Sequence, residues 1–379
     1  MARKILFALT LLLTFTMTMP AVADVKKPLR YVTADSVTVW AYNGRDFRSI
    51  ALSVDTTVRA KRFGISRDMW KSRTQLLKQW NEERKELNVV GGMGDVFAEP
   101  QAMSAYKSIN KAAPLFLMKP EASFHDYIER AVYNAVMHAA TDSTQQQGTL
   151  NSTLAAQTLI SVPGLIYATS ANGEVYVNLY TNSLANIPLK NQTVCLDQVT
   201  DMPVSGTVKM RFNKIAKGTS LTLHLRIPDW CVGGRNTPYI YIGEKAKEPT
   251  IYVNGHELSP INVDENGYVV ITREWRVFDE VYISFPLQAH YILPANTPQE
   301  NLFAPIKKDV ALQYGPLVYF PTTDTTPYYF TPSQPIQVVE NENIVGTALL
   351  KGMMYKTATP QDAKAEAVPF EAVPYAQMF

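Results

Sequence analysis

The stretch that decides the fold is Leu221–Pro286, which contains LTLHLRIPDWCVGG, TIYVNGHEL, ENGYVVITREW and DEVYISFP in that order. Apolar and polar residues alternate at its start. The apolar row comprises Leu221, Leu223, Leu225 and Ile227, and the polar row comprises Thr222, His224 and Arg226. A period of two predicts a β-strand whose apolar row faces a core and whose polar row faces solvent.

The same stretch contains a second strand pattern and two turn signals. Val281, Ile283 and Phe285 repeat the alternation. Asn254-Gly255 and Asn266-Gly267 are typical of tight turns, because both residue types tolerate a positive φ. The stretch therefore predicts a run of antiparallel strands that forms one half of a β-sandwich.

Length and charge limit the possible classes of protein. The chain has 379 residues, enough for two or three domains. Lys plus Arg number 36 and Asp plus Glu number 34, so we expect no nucleic-acid partner. The 20 tyrosines suit either sugar stacking or the packing of strands, and composition leaves both open.

The first residues have the pattern of a secretory signal. Arg3 and Lys4 precede the apolar stretch Ile5–Met17, and the small residues Ala21-Val22-Ala23 follow. We expect residues 1–23 to be a signal peptide cut after Ala23, and the mature protein to be exported to the periplasm or the exterior. No later segment is long and apolar enough to predict a membrane span.

Between the leader and the strands, hydrophobic spacing predicts helices. Residues 24–60 predict one or two strands before them. The predicted helices are Ser66–Leu87, Glu99–Met118 with a break near Pro114, Ser123–Ala140 capped by Ser123, and Thr149–Ala168 interrupted at Pro163-Gly164. Strands take over from Glu174, continue through Asp309–Phe320, and are less regular in residues 321–379.

Carboxylates are the candidates for chemistry. Histidines 125, 138, 224, 256 and 290 are scattered without metal-binding spacing, so we expect surface or hydrogen-bonded side chains. Cys195 and Cys231 are compatible with a disulfide or with two separate buried thiols. Glycosidases use two carboxylates, and the candidates are Glu99, Asp126, Glu129, Asp229 and Glu274. Their spacing alone brings no two of them together, and each could equally be structural or solvated.

Several motifs in order resemble the β-L-arabinofuranosidases of glycoside hydrolase family 127. Tyr127–Ala139 (YIERAVYNAVMHA) is similar to the family's helix with the ERALYN signature, and Val162–Tyr180 is similar to the passage into its first β-domain strand. VTDMPVSGTVKM at Val199–Met210, the deciding stretch, and YGPLVYF at Tyr314–Phe320 complete the resemblance.

The resemblance implies an α+β multidomain fold. It would comprise a partial helical-hairpin region of the six-hairpin glycosidase type, followed by antiparallel β-sandwich domains. The boundaries that we expect are 24–170 for a truncated helical domain, 171–300 for a β-sandwich, and 301–379 for a segment that completes or extends it. The helical part has too little sequence for a closed barrel of six hairpins.

The resemblance also implies a mechanism that this sequence does not support. The family uses a zinc-bound cysteine as nucleophile and a glutamate as general acid/base. Glu99 matches that glutamate, but the cysteine position of the same motif is Gln101, and the family's cysteine pair falls near Leu150–Leu154, where there is none. The glycine-rich turn Gly91–Gly94 lacks the segment that carries a metal-binding glutamate. We therefore expect Glu99 as the acid/base candidate, no zinc and no other cofactor.

Two functions follow from these observations. The first is an exported glycoside hydrolase that acts on arabinose-containing or similar plant glycans, with lost or altered catalysis. The second is a non-catalytic β-sandwich protein that binds a glycan or another partner. An enzyme predicts two facing acids in a cleft, whereas a binding module predicts an exposed aromatic platform. The oligomeric state is left open by the sequence.

Overall fold

The computed structural model describes residues 27–42, 47–52, 62–86, 102–141, 150–234, 237–295, 297–298, 310–322, 328–342, 346–356 and 366–377. These residues form a β-rich structure with a few helices and several sheets. The predicted signal peptide, the glycine-rich turn Gly91–Gly94, Glu99 and Gln101 lie outside the described residues.

The helices precede most of the strands. They are α1 (Arg67–Lys71), α2 (Arg73–Glu83), α3 (Ala102–Met118), α4 (Ala122–Ala131), a π-helical segment (Val132–Val136), α5 (Met137–Thr141) and α6 (Leu150–Leu159). Single 3₁₀ turns lie at Arg84–Glu86, Val162–Gly164, Asp229–Cys231 and Tyr375–Gln377. In the part of the chain that is described, none of these helices has the length and hydrophobicity to cross a bilayer.

The predicted helices are confirmed in place but differ in detail. The helix predicted at Ser123–Ala140 is α4, the π-helical segment and α5 in succession, and its N-cap is Glu121 rather than Ser123. Pro114 does not break α3, because burial of the apolar residues on both sides of it offsets the lost hydrogen bond. The last predicted helix ends at Leu159, and Ala168 lies in a strand.

The described strands form three sheets, numbered here in chain order. The first sheet contains, in hydrogen-bonded order, β1 (Arg30–Val32), β4 (Tyr167–Thr169), β5 (Val175–Val177), β9 (Thr219–Arg226) and β13 (Tyr268–Trp275). The second contains β12 (His256–Glu257), β11 (Thr250–Val253), β14 (Glu280–Ser284), β8 (Thr207–Lys214), β7 (Thr193–Thr200), β6 (Asn182–Pro188), β2 (Ser36–Tyr42) and β3 (Phe47–Leu52).

The third sheet is formed mainly by the C-terminal part of the chain. It contains, in order, β10 (Tyr239–Gly243), β15 (Ala289–Pro294), β16 (Ala311–Tyr314), β17 (Leu317–Pro321), β21 (Glu366–Pro374), β20 (Ala348–Lys356) and β18 (Tyr328–Phe330), and β19 (Gln337–Glu340) also pairs with β20. The strands predicted after residue 320 are therefore confirmed as part of a sheet. All pairings in this sheet are antiparallel.

The pattern of the deciding stretch predicted one half of a β-sandwich. The structure instead divides its strands among three sheets. Its strands β9 and β13 belong to the first sheet, β11, β12 and β14 belong to the second, and β10 belongs to the third. Both predicted apolar rows are buried in one common core. Alternation indicates which side of a strand faces a core, but it does not indicate which sheet the strand joins.

The predicted turns bring the sheets close to the helices. Gly255 and Gly267 both have a positive φ, of 78° and 88°. Asn266 in the second turn accepts a hydrogen bond at its carbonyl oxygen from the Ala122 N–H at 2.8 Å. A β-carbon at Gly267 would lie 2.6 Å from the Ala122 β-carbon, whereas one at Gly255 would meet open space.

The two glycines therefore give a matched pair of substitutions. Gly255→Ala should lower the free energy of unfolding by about 1–2 kcal/mol, since only the left-handed backbone is penalised. Gly267→Ala should cost more, because α4 must also move away from the turn. Urea unfolding of both variants checks this order. Equal losses would mean that the contact between the turn and α4 carries no energetic weight.

Candidate functional site

The helix α4 is fixed at both ends to strands, and this sets the position of its polar side chains. Its first residue is bound by the Asn266 turn, as described above. Past its end, the Asn134 amide donates to the Arg130 carbonyl at 2.8 Å and to the Pro316 carbonyl at 3.0 Å. The Asn134 side-chain oxygen accepts from the Val318 N–H at 2.8 Å. The helix is thereby held against the β16–β17 hairpin.

Arg226 is the centre of a buried charge cluster beneath α4. Its Nη1 donates to Asp126 Oδ1 at 2.5 Å, its Nη2 donates to Glu129 Oε1, and its Nε donates to the Asn178 carbonyl. The prediction that Arg226 and His224 face solvent was wrong, since Arg226 is 0% exposed and His224 is 9% exposed. The helix supplies the polar partners that make this second buried face possible.

The remaining Glu129 oxygen and a second ion pair complete the cluster. The Trp230 indole N–H donates to Glu129 Oε2 at 2.9 Å. Arg130 Nη1 donates to both Asp229 oxygens at 2.9 and 2.7 Å and to the Tyr241 hydroxyl at 3.0 Å. Glu129 and Arg130 are both buried, which leaves the structural alternative for Glu129 rather than the solvated one.

The cluster contains more acids than bases. Three carboxylates (Asp126, Glu129, Asp229) face two guanidinium groups, an excess of one negative charge. Burial, followed by repulsion from Asp229, raises the pKa of Asp126 well above its usual value. Folding thus takes up a proton at Asp126, and the stability linked to that proton is lost as the pH rises through the raised pKa.

A small cleft, open to solvent, lies beside this cluster. Its lining combines aromatic rings with charged and hydroxyl groups: Trp80, Arg84, Ser123, Asp126, Tyr127, Arg130, Asp229, Thr237, Pro238 and Tyr239. A shallow depression shares Ser123, Asp126 and Asp229 with the cleft and continues to the turn at Gly267.

Two hydroxyls of the cleft have no hydrogen-bond partner. Ser123 Oγ and Thr237 Oγ1 are buried atoms that make no hydrogen bond among the described residues. The Asp126 side chain accepts two hydrogen bonds, from Arg226 and from the Asp229 N–H, and both end on its Oδ1. Its Oδ2 therefore has no hydrogen-bond partner among the described residues. Groups that both donate and accept, beside aromatic walls, suit a ligand that carries many hydroxyls.

The sequence candidates for catalysis fall in different places. Asp126, Glu129 and Asp229, which no spacing could join, meet in one cluster. Glu274 lies on an exposed position of β13 and takes no part. The sequence did not predict that Ser123 and Thr237 line this cleft, since a single hydroxyl carries no recognisable pattern.

The histidines are mostly interior. His125, His138, His224 and His290 are buried, and His256 is exposed. His125 Nε2 lies 3.2 Å from the Tyr31 hydroxyl, and His224 stacks on Tyr176 with ring centroids 4.0 Å apart. A hydrogen bond accounts for His125, as expected, whereas His224 is buried and packs its ring on Tyr176 instead.

The donor set of the described residues does not fit the zinc that the resemblance implies. No group of three His, Cys, Asp or Glu side chains in the described ranges could hold a metal ion. Cys195 and Cys231 are separate thiols, and burial raises the pKa of Cys231 to about 12. Such a thiol stays protonated, whereas a zinc ligand must be a thiolate.

Comparison with known families adds to this geometry. Residues 174–287 match the family model described as β-L-arabinofuranosidase, GH127 middle domain. This segment of the chain is similar to a GH127 middle domain. This confirms the family resemblance predicted from the motifs, and the matched residues include Arg226, Asp229 and Trp230 of the cluster.

Solved structures are similar to the GH127 middle domain and its surroundings. A GH127 β-arabinofuranosidase matches with 20% identity and a TM-score of 0.64 over 79% of this chain and 52% of that one. A GH127 β-L-arabinofuranosidase from Geobacillus stearothermophilus T6 matches with 19% identity and a TM-score of 0.62 over 82% and 56%. A further structure, named a glycoside hydrolase, matches with 18% identity and a TM-score of 0.56 over 76% and 51%.

These matches have a limited extent. The chain spans about half the length of the solved relatives, which at this identity share its fold. No curated protein sequence matches the chain.

Proposed function

We propose that this chain is an exported β-L-arabinofuranosidase-like protein that binds an arabinose-containing or similar plant glycan, and that the family's hydrolysis is lost or altered in it. The observation that carries the proposal is the cleft beside α4. Its aromatic walls and its unpartnered hydroxyls are the groups that bind a sugar's apolar faces and hydroxyls.

The hydrogen bonds of the cluster favour binding over double-carboxylate hydrolysis. Both oxygens of Asp229 are engaged by Arg130, and both oxygens of Glu129 are engaged by Arg226 and Trp230. A retaining glycosidase needs a free carboxylate as nucleophile and a second acid about 5–5.5 Å away. Asp126 alone offers an unengaged oxygen to the cleft.

A second candidate function is hydrolysis without zinc. Asp126 has a raised pKa and faces the cleft, which suits a general acid. It would then be the second carboxylate beside Glu99, the residue that the resemblance assigns as acid/base. Asp126→Asn separates the two candidates, because asparagine resembles the protonated acid in shape and charge but has no proton to give.

The domain organisation that fits this proposal follows the sequence. Residues 24–170 would be the remnant of the helical glycosidase domain, 171–300 a β-sandwich, and 301–379 the segment that extends it. The first two sheets and the helices pack on one apolar core, which supports a truncated helical domain joined to a β-sandwich.

Turnover and binding should be measured together on the folded protein. The turnover panel consists of aryl α- and β-furanosides and pyranosides, with Glu99→Gln and Asp126→Asn beside the wild type. We expect no turnover. Activity that survives chelators and is lost in both variants would favour the zinc-free hydrolase.

The binding half of the test uses L-arabinose and a soluble arabino-oligosaccharide. Ser123→Ala and Thr237→Val should weaken binding roughly tenfold together while leaving stability unchanged, because they remove hydroxyls that have no partner in the fold. Thr272→Val, at an exposed strand position, is the control. Unchanged binding in the cleft variants, or no binding by wild type, would contradict the proposed site.

A further inference from the structure

The outer face of the second sheet carries two neighbouring tyrosines. Tyr252 on β11 lies directly opposite Tyr282 on β14 in the antiparallel pair. Their ring centroids are 6.2 Å apart with 56° between the ring planes, and Tyr282 is 40% exposed. Alternate residues of the same strands, Ile251 and Ile283, fill the core.

The row of side chains continues across the sheet with polar and charged groups. Lys209 on β8 pairs with Tyr282, and Val199 on β7, which is 57% exposed, pairs with Lys209. In the next row, Glu280 lies 2.8 Å from Lys209. We call Tyr252, Tyr282, Lys209, Val199 and Glu280 the tyrosine face.

Most charges of this surface are paired, and Glu257, opposite Tyr252 on β12, adds one exposed carboxylate. The Lys209 ammonium is matched by Glu280, and beside them Arg211 lies 4.0 Å from Asp197. The surface therefore has no excess of positive charge to attract a polyanion. One exposed and one half-buried tyrosine ring, flanked by paired charges, suit a neutral ligand with apolar faces and many hydroxyls.

We propose that the tyrosine face is a second glycan-binding site, which holds two successive sugars of a neutral polysaccharide chain. The angle of 56° between the rings is the deciding feature. One flat ligand cannot stack on both rings, whereas two linked sugars that are turned relative to each other can. The inference rests on the proposed function for the ligand class, but the face shares no residue with the cleft.

The simpler role for the two rings is cross-strand stabilisation, which neighbouring aromatic residues on a sheet commonly provide. That role predicts a loss of stability on truncation and no ligand. The two roles therefore give different results in a binding measurement, provided that the variants remain folded.

The test is affinity electrophoresis of the full chain through gels that contain soluble branched arabinan. Tyr282→Ala and Tyr252→Ala should each weaken retardation roughly tenfold, the order expected when a stacked aromatic ring is removed. Tyr282→Phe keeps the ring and should bind as wild type does. Val338→Ala, at an exposed position of β19 in the third sheet, is the control. Circular dichroism of each variant establishes that it is folded.

Each outcome separates this inference from the proposed function. Arabinan retention that is lost in the tyrosine variants but kept in Ser123→Ala with Thr237→Val supports the tyrosine face, whatever the cleft binds. Retention unaffected by Tyr252 and Tyr282 overturns it, even if L-arabinose binds in the cleft. A dimer that Tyr282→Ala dissociates would assign the face to a second copy of the chain and also overturn it.

Discussion

Replacing Arg226 with methionine should lower the free energy of unfolding by about 3–5 kcal/mol at pH 8, the typical result of removing one side of a buried ion pair. The Arg226 side chain is 0% exposed and contacts two carboxylates that are 4% and 0% exposed. Methionine keeps much of the length and apolar volume. The loss therefore reports the two acids that remain buried without a cation, and urea unfolding measures it.

The pH dependence of this loss identifies its cause. Without Arg226, Asp126 and Glu129 can avoid their buried charge only by binding protons, so the loss should shrink at pH 4.5. The control is Arg273→Met, because Arg273 is 40% exposed and lies 3.9 Å from Asp279. That change should cost less than about 1 kcal/mol. A loss for Arg226→Met that does not vary with pH would mean that packing, rather than charge, is responsible.

Much of the fold could be predicted from local patterns. Alternation identified the buried rows that begin at Leu221 and at Val281, and the helical spacing identified α4. The assignment of strands to sheets could not be predicted, since the first and second sheets both turn their apolar rows toward one core. Pairings such as β5 beside β9 join residues that lie far apart in sequence and share no local signal.

The polar row of β9 was predicted to face solvent, and there is a physical reason why this prediction was wrong. Alternation assigns each polar residue to solvent, but a polar residue can be buried when another element supplies its partners. Arg226 is such a residue, and its partners come from a helix about 100 positions earlier. The candidate list of carboxylates already included three members of the cluster, whereas Arg226, the partner of Asp126 and Glu129, was placed in solvent.

The family motifs gain a physical meaning from this cluster. Glu129 and Arg130 belong to the motif of the helix, and Arg226, Asp229 and Trp230 belong to the motif LRIPDW. The structure joins Glu129 to Arg226 and to Trp230, and Arg130 to Asp229. The two motifs are thus the two halves of one buried junction between helix and sheets, a structural role that motif matching alone would attribute to catalysis.

The second large effect is expected at the other ion pair of this junction. Arg130→Met and Asp229→Leu should each cost about 3–5 kcal/mol, because each leaves a partner charged and buried. Their side chains are 4% and 1% exposed, and their closest atoms are 2.7 Å apart. The double variant leaves neither member of this ion pair buried without its partner, so its loss should fall short of the sum by about 2–3 kcal/mol.

The exposed pair Lys351–Glu371 provides the control cycle. Its atoms lie 2.6 Å apart, yet the side chains are 40% and 53% exposed, so its coupling should stay below about 1 kcal/mol. Additive losses at Arg130 and Asp229 would contradict the buried-charge account. The double variant has a further use, because it removes both charges from the cleft wall while the junction remains packed. Sugar binding that persists in it would mean that the aromatic rings and hydroxyls hold the ligand without the ion pair.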